Sequence, residues 1–347
     1  MAKKLSWVVF GLAVVLMAVT GSAAVSEQAI QELYKAAKAE GQVFWQTGGT
    51  LRTYSPVAKA FEAKYPGIKC TVVEIAATTI HTRVITETAA GKVSVDVGNT
   101  MTDTLLTLVK RDLLVKYDWG KTSDGDPGLI LFDGAFVLLH DHPPCWVYNT
   151  KLVPEAEAPK TWEDALDPRW KGSKISMRSL GSSLGGLFPE WRQNPQKVMG
   201  FVERLKKQEV MAGARFAEVI SRVATGECPV GIVVAADAAR QQKMGAPIEV
   251  ASVSPTSAVP MKMFVPKSTP HPNAAKLLIS WLSSQEGRKI LTKLTDAGLA
   301  TPPDASPVAQ LLAKARIKFN RVASIEEVEN YLRFTEAVVK TMGFLPQ

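Results

Sequence analysis

Strand-like and helix-like segments alternate along most of this chain, and that alternation limits the fold more than any single motif. Gln42–Gln46, Ile68–Ile75 and Val93–Val97 are short runs rich in β-branched or aromatic residues, which read as strands. Helix-length segments separate them. The first has Ile30, Leu33, Tyr34 and Ala37 on one face, with Ser26 as its cap and Gly41 at its end. The next restarts at Ser55-Pro56 with Val57, Ala60 and Phe61 inward, and Thr79–Ala90 and Asp103–Val109 follow. The second half alternates in the same way. Its strands are expected at Lys174–Met177, Val230–Val234, Pro247–Val253 and Met261–Val265, and its helices at Pro195–Gln208, Ala236–Met244, from His271 to Leu282, and Ile325–Met342. Such a pattern predicts an α/β fold with mostly parallel sheets.

The N-terminus reads as an export signal. Lys3 and Lys4 are followed by the 13 apolar-rich residues Trp7–Val19 and then by Gly21-Ser22-Ala23-Ala24, which suits cleavage after Ala24. The apolar run is shorter than the ~18–20 residues of a spanning helix. No cysteine near the cut offers a lipid attachment, so no stable membrane anchor is expected. The expected location is the periplasm. Removing 24 of 347 residues leaves 323, more than one core usually serves, so two lobes are expected. Removing two lysines takes the formal charge from +8 to +6, and that charge is spread rather than clustered. A nucleic-acid partner is not expected. Cys70, Cys145 and Cys228 fit no zinc spacing, and buried free thiols are expected, with no required bridge.

Ligands of open α/β sheets bind outside the carboxyl ends of the strands. Four small, polar loops hold that position: Thr47–Thr50, Gly98–Thr102, Arg178–Ser183 and Ala235–Asp237. The candidate ligand-binding residues are Thr47, Gly48, Gly49, Thr100, Met101, Thr102, Arg178, Ser179, Ser182, Ser183, Ala236 and Asp237. Arg178 offers a guanidinium fork and the serines offer hydroxyls at an expected helix start, a combination suited to a carboxylate or phosphate. The plainer alternatives are a surface salt bridge for Arg178 and a helix cap for Asp237. Arg83 reads as a salt bridge between elements.

Trp146–Met177 carries the most recognisable order of parts. Val147-Tyr148-Asn149-Thr150-Lys151-Leu152, Pro159-Lys160-Thr161-Trp162-Glu163-Asp164 and Asp167-Pro168-Arg169-Trp170-Lys171-Gly172 follow one another. Thr161 and Asp164 fit a capping box, Pro168 stops that helix, and Trp162 and Trp170 are packing anchors. This order resembles the family-1 extracellular solute-binding proteins of ABC importers, a group that includes ferric-ion-binding proteins. Gly226-Glu227 with Val230-Gly231-Ile232, and His271-Pro272-Asn273-Ala274-Ala275-Lys276-Leu277 through Trp281–Gly287, extend the resemblance. It implies a type II periplasmic-binding-protein-like fold, with two lobes that close on a ligand by a hinge. The lobes are expected at 25–142 plus 254–300 and at 143–253 plus 301–347, with crossings near Pro143–Tyr148 and Ala251–Met261. The implied partners are an ABC permease and its ATPase; a monomer and no cofactor are expected.

The ferric members carry adjacent tyrosines after the strand that here is Val230–Val234, where this chain reads Ala235-Ala236-Asp237. A lone carboxylate is not an iron site. The expected ligand is therefore a small organic anion: a carboxylate, a phosphate or phosphonate, or an amino acid-like molecule. Ferric ion or a metal chelate is the alternative. Two further rivals are a secreted serine hydrolase, from Gly181-Ser182-Ser183-Leu184-Gly185 with Asp237 and His271, and a metal site at His140, His142 and Cys145.

Overall fold

The computed structural model describes residues 27–76, 79–101, 105–301 and 306–344. The expected signal segment, the expected Ser26 cap and Thr102 lie outside the described residues. Residues 27–40 are helical. In chain order the strands are β1 (Gln42–Thr47), β2 (Lys69–Glu74), β3 (Val97–Thr100), β4 (Ile130–Leu131), β5 (Phe136–His140), β6 (Pro144–Asn149), β7 (Ile175–Arg178), β8 (Met211–Gly213), β9 (Val230–Val234), β10 (Ile248–Val250), β11 (Thr256–Ala258), β12 (Met261–Phe264) and β13 (Phe319–Arg321).

The chain divides into two compact units. Among the described residues, one holds those up to Thr100, then 105–138 and 262–290; the other holds Met101, 139–261 and 291–344. The exchange points at 138/139, 261/262 and 290/291 stand against the expected 142/143, 253/254 and 300/301. Bonding explains the first and last. Asp141 N–H donates to Gly298 O at 3.1 Å, and Ala300 N–H donates to the Asp141 carboxylate at 2.9 Å.

The first unit is built on the sheet β2-β1-β3-β12-β5-β4. β1 runs parallel to β2 and β3, β12 antiparallel to β3, and β4 antiparallel to β5. The sheet is therefore mixed, because the returning strand β12 enters it antiparallel. One face packs on Ile80, Val84, Leu105, Leu108 and Phe136. The helix Leu51–Lys64 buries Tyr54, Val57, Ala58 and Phe61, an i, i+3, i+4, i+7 stripe. It begins at Leu51 rather than at the expected Ser55-Pro56, since Thr50 caps it by accepting from Thr53 N–H at 3.3 Å. Pro56 sits inside the helix, and Ala60 is only half-buried.

The third strand lies four residues later than expected, at Val97–Thr100 instead of Val93–Val97. Residues 94–96 are held by side chains instead: Ser94 N–H donates to Glu87 at 2.7 Å, and Asp96 accepts from Phe44 N–H at 2.7 Å. Gly98, expected in a loop, lies in β3. A Cβ there would stand 2.3 Å from the Phe264 ring, so only glycine lets β12 pack at this point. Arg83 pairs with Glu87 on its own helix at 2.6 Å, not with another element.

The second unit is built on the sheet β10-β6-β9-β7-β8, with β7 parallel to β8 and β9, and β6 antiparallel to β9 and β10. All residues of β6 and β9 are buried. The helices Pro195–Lys206 and Ile325–Met342 carry apolar stripes of Val198, Phe201, Val202, Leu205 and of Val328, Tyr331, Phe334, Val338. Ser324 and Glu327 form a capping box at the start of the second. In the Trp146–Met177 stretch, Thr161 accepts from Asp164 N–H at 3.3 Å and Asp164 accepts from Thr161 N–H at 2.9 Å. The box opens a 3-10 turn, Glu163–Leu166, rather than the expected helix. Pro168 begins a second such turn, Pro168–Trp170, capped by Asp167. Trp162 and Trp170 are buried, and Trp146 meets Trp162 edge-on at 5.6 Å.

Candidate functional site

In the first unit, the turn after β1 is held by its own small residues. Thr47 is fully buried, and its hydroxyl accepts from Gly49 N–H at 2.9 Å. Gly48 N–H donates to Asn99 O at 3.0 Å, which fastens the turn to β3. A Cβ on Gly49 would stand 2.5 Å from the Tyr54 ring. The helix Leu51–Lys64 starts directly after this turn, where free N–H groups favour an anion. Part of that capacity is already used, since Leu51 N–H donates to the Glu74 carboxylate at 2.9 Å. Thr100 is buried at the end of β3 and Met101 is half-buried. Opposite Thr100 stands Lys262, 2% exposed, its ammonium 5.9 and 5.8 Å from the rings of Phe132 and Phe136. The run Met261–Val265 gives no sign in sequence that its lysine faces inward.

In the second unit, Arg178 ends β7. Its Nε–H donates to Ala214 O at 2.9 Å, and its guanidinium lies 5.2 Å from the centre of the Phe216 ring. Burial and the neighbouring Arg215 both work against its charge. It has no acidic partner among the described residues, so it is not the surface salt bridge that sequence alone allowed. Ser179 hydroxyl donates to Gly213 O at 3.3 Å. Ser182 is half-buried and its hydroxyl makes no hydrogen bond among the described residues. Ser183 is fully buried and its hydroxyl donates to Arg178 O at 3.1 Å, so it braces the loop rather than lining it. The expected helix start is the 3-10 segment Gly181–Leu187 followed by the short helix Phe188–Trp191.

Ala235–Lys243 is helical from its first residue, with Val234 at the cap position and no side-chain cap. Ala236 is buried. Asp237 is thus not the cap. It pairs within the helix with Arg240 at 2.9 Å, and Arg240 also donates to Thr295 O at 3.1 Å. Burial raises the Asp237 titration and Arg240 opposes that rise.

The hydrolase constellation is not assembled from bonded partners. Ser183 bonds to Arg178, Asp237 to Arg240, and His271 Nδ1 to Asp96 at 2.9 Å, with Gln42 on its Nε2 at 3.0 Å. His271 holds the cap position of Pro272–Ser283, but the capping acceptor is Glu40, which takes Asn273 and Ala274 N–H.

His140 and His142 meet edge-on at 4.4 Å, and no group of three or more His, Cys, Asp or Glu suited to a metal occurs among the described residues. The three cysteines are buried and free.

Burial pushes the His142 imidazole down to about 4, with Asp141 opposing and Arg240 adding. The neutral ring therefore contributes stability that is full above pH 6.5 and is lost as pH falls towards 4. At about 1.36 kcal/mol per pH unit, His142→Gln is expected to remove on the order of 3 kcal/mol of the decline between pH 7 and 4. Urea unfolding of both proteins at the two pH values checks this; equal declines would refute it.

Sequence reasoning misses the ion pair of Asp141 with Arg321. Arg321 Nε and Nη2 donate to the buried carboxylate at 2.9 and 2.7 Å. The partners are 180 residues apart, and no local pattern joins them.

Residues 57–316, well over half of the chain, match the bacterial extracellular solute-binding protein family. This chain belongs to that family. Solved members of the same fold superpose on it. Iron-bound HitA of Pseudomonas aeruginosa gives a TM-score of 0.72 at 16% identity, covering 86% of this chain and 99% of that one. AfuA of Actinobacillus pleuropneumoniae, with exogenous fructose-6-phosphate bound, gives 0.70 at 18% identity, covering 88% and 99%. The Atu4243-GABA receptor gives 0.70 at 16% identity, covering 88% and 99%. At these identities the likeness speaks for the two-lobed fold alone. No curated protein sequence shows significant similarity to the chain. Its general role is that of the family, extracellular solute binding. No helix among the described residues is long and apolar enough to cross a membrane.

Proposed function

We propose that this solute-binding protein captures a small organic anion, namely a carboxylate, a phosphate or phosphonate, or an amino acid-like molecule. It hands that ligand to a membrane permease and its ATPase. The observation that carries the ligand class is Arg178. Its guanidinium is fixed by Ala214 O and the Phe216 ring, stands near Arg215, and has no carboxylate partner among the described residues. A partly buried cation beside another cation is stabilised by an anion from outside. Ser182, with its uncommitted hydroxyl, lies on the same loop. The other candidates in this proposal are Thr47–Gly49, Thr100–Thr102, Ser179, Ala236 and Asp237. Fructose-6-phosphate and GABA, in relatives of the same fold, belong to the classes expected here.

Ferric ion is the alternative, favoured by the likeness to iron-bound HitA. Against it stands the chemistry of the loop after β9, Ala235-Ala236-Asp237, which offers one carboxylate already held by Arg240. Export is part of the same proposal, with cleavage after Ala24; N-terminal sequencing of the exported protein checks it.

A thermal-shift screen of the purified mature protein against organic anions, amines, neutral sugars and ferric citrate tests the reading. A ligand at 100 times its Kd is expected to stabilise the fold by about 2.7 kcal/mol. Arg178→Gln is expected to weaken anion binding about 10- to 100-fold, the loss of charge-assisted hydrogen bonds worth about 1.5–3 kcal/mol. Binding of cations or neutral sugars alone, or unchanged anion affinity in Arg178→Gln, would overturn the ligand class.

A further inference from the structure

The second unit holds a cleft of about 490 Å³ that is separate from the strand-end loops. Its lining includes Tyr148, Gln242, Glu249, Leu311 and Lys314, with Glu155 also against it. Gln242 lies five residues beyond Asp237 on one helix, roughly 7.5 Å further along the axis at 1.5 Å per residue. The volume falls within the range of small-molecule sites.

Tyr148 supplies the cleft with a polar group. It is 5% exposed, it borders the cleft, and its hydroxyl makes no hydrogen bond among the described residues. Its ring is buried, but its hydroxyl reaches solvent at the cleft, where a ligand can meet it. Burial, then the charges of Glu155 and Glu249, push its titration up, so it stays a neutral phenol able to accept as well as donate.

Charge decides what the cleft takes. Lys314 is paired with Glu249 at 3.0 Å and Lys243 with Asp296 at 3.0 Å. Glu155 is exposed and has no ion pair among the described residues. The uncompensated side-chain charge is therefore negative. Two helices also end here: Gln242 and Lys243 close Ala235–Lys243, and Lys314 closes Pro307–Lys314. Helix C-termini carry partial negative charge and favour a cation. Pro307, Leu311 and Val250 add apolar wall.

We propose that this cleft is a second ligand site, which takes a small organic molecule carrying a primary ammonium group on a short alkyl chain. The ammonium donates to the Tyr148 hydroxyl and the Glu155 carboxylate, and the alkyl chain lies against Leu311 and Pro307. The site shares no residue with the Arg178–Ser183 loop, so it stands or falls apart from the anion reading.

The test is a calorimetric titration of the purified mature protein with n-butylammonium chloride, with sodium butyrate as the charge-reversed control. Saturable one-site binding of butylammonium is expected. Tyr148→Phe and Glu155→Gln should each weaken it about tenfold, the scale of one hydrogen bond to a charged group. Glu155→Gln changes an exposed side chain, so it reports even if Tyr148→Phe disturbs the fold. Absence of saturable binding, unchanged affinity in Glu155→Gln, or butyrate binding as tightly as the amine would each overturn the proposal.

Discussion

Arg321→Ala is expected to lower the stability of the protein by about 3–5 kcal/mol. Asp141 is fully buried. Its carboxylate accepts from Arg321 Nε at 2.9 Å, from Arg321 Nη2 at 2.7 Å and from Ala300 N–H at 2.9 Å. Arg321 Nη2 also donates to Thr301 Oγ1 at 3.1 Å. Truncation leaves a buried carboxylate with one backbone donor, and that uncompensated charge accounts for most of the cost. Arg321→Lys keeps a charge but loses the planar fork, and should fall between wild type and Ala. In a double-mutant cycle with Asp141→Asn, the second substitution should cost much less in the Arg321→Ala background. Urea unfolding reads all four proteins. A loss under about 1 kcal/mol for Arg321→Ala would place this pair among ordinary surface bridges and refute the argument.

The contrast between Arg321 and other residues shows what is legible in the sequence. The helix Ile325–Met342 is readable to the residue, because its capping box and apolar stripe are local signals. β9 is equally readable, since Val230–Val234 is an unbroken apolar run bounded by turn residues. β3 is not. Val93–Val97 has the composition of a strand, but Glu87 and Phe44 hold its first half, and the ladder begins where Gly98 lets Phe264 in. The box at Thr161 is legible and the length of what it opens is not, because Pro159 and Pro168 leave room for one turn only. At the candidate site, residue type is visible and side-chain direction is hidden. Ser183 and Ser182 are adjacent, yet one hydroxyl turns inward to Arg178 O and the other makes no bond among the described residues. In sequence Arg178 looks like any exposed arginine; the absence of an acidic partner among the described residues sets it apart.

Asp96→Ala is expected to cost about 3–4 kcal/mol, from a carboxylate removed and several donors left unpaired at about 1–3 kcal/mol each, partly offset by relaxation. Asp96 is fully buried. It accepts from Thr269 Oγ1 at 2.5 Å, from Phe44 N–H at 2.7 Å and meets His271 Nδ1 at 2.9 Å. One carboxylate thus ties β1, the segment before β3 and the turn that opens Pro272–Ser283. Asp96→Asn keeps the shape and one acceptor oxygen, but its amide must face at least one of these donors, so an intermediate loss is expected. His271→Ala removes one partner only and should cost less than Asp96→Ala. That ranking, read from urea midpoints, separates a shared anchor from a simple His–Asp pair. Equal losses for Asp96→Ala and His271→Ala would show that Phe44 and Thr269 contribute nothing. The ranking also bears on the proposed ligand loop. Phe44 lies three residues before Thr47, and the pairing of β1 with β3 sets where Thr47–Gly49 begins. Asp96→Asn, still folded at room temperature, should therefore weaken binding through the first unit while leaving Arg178 intact. Unchanged affinity in that variant would mean that the Thr47–Gly49 turn takes no part in holding the ligand.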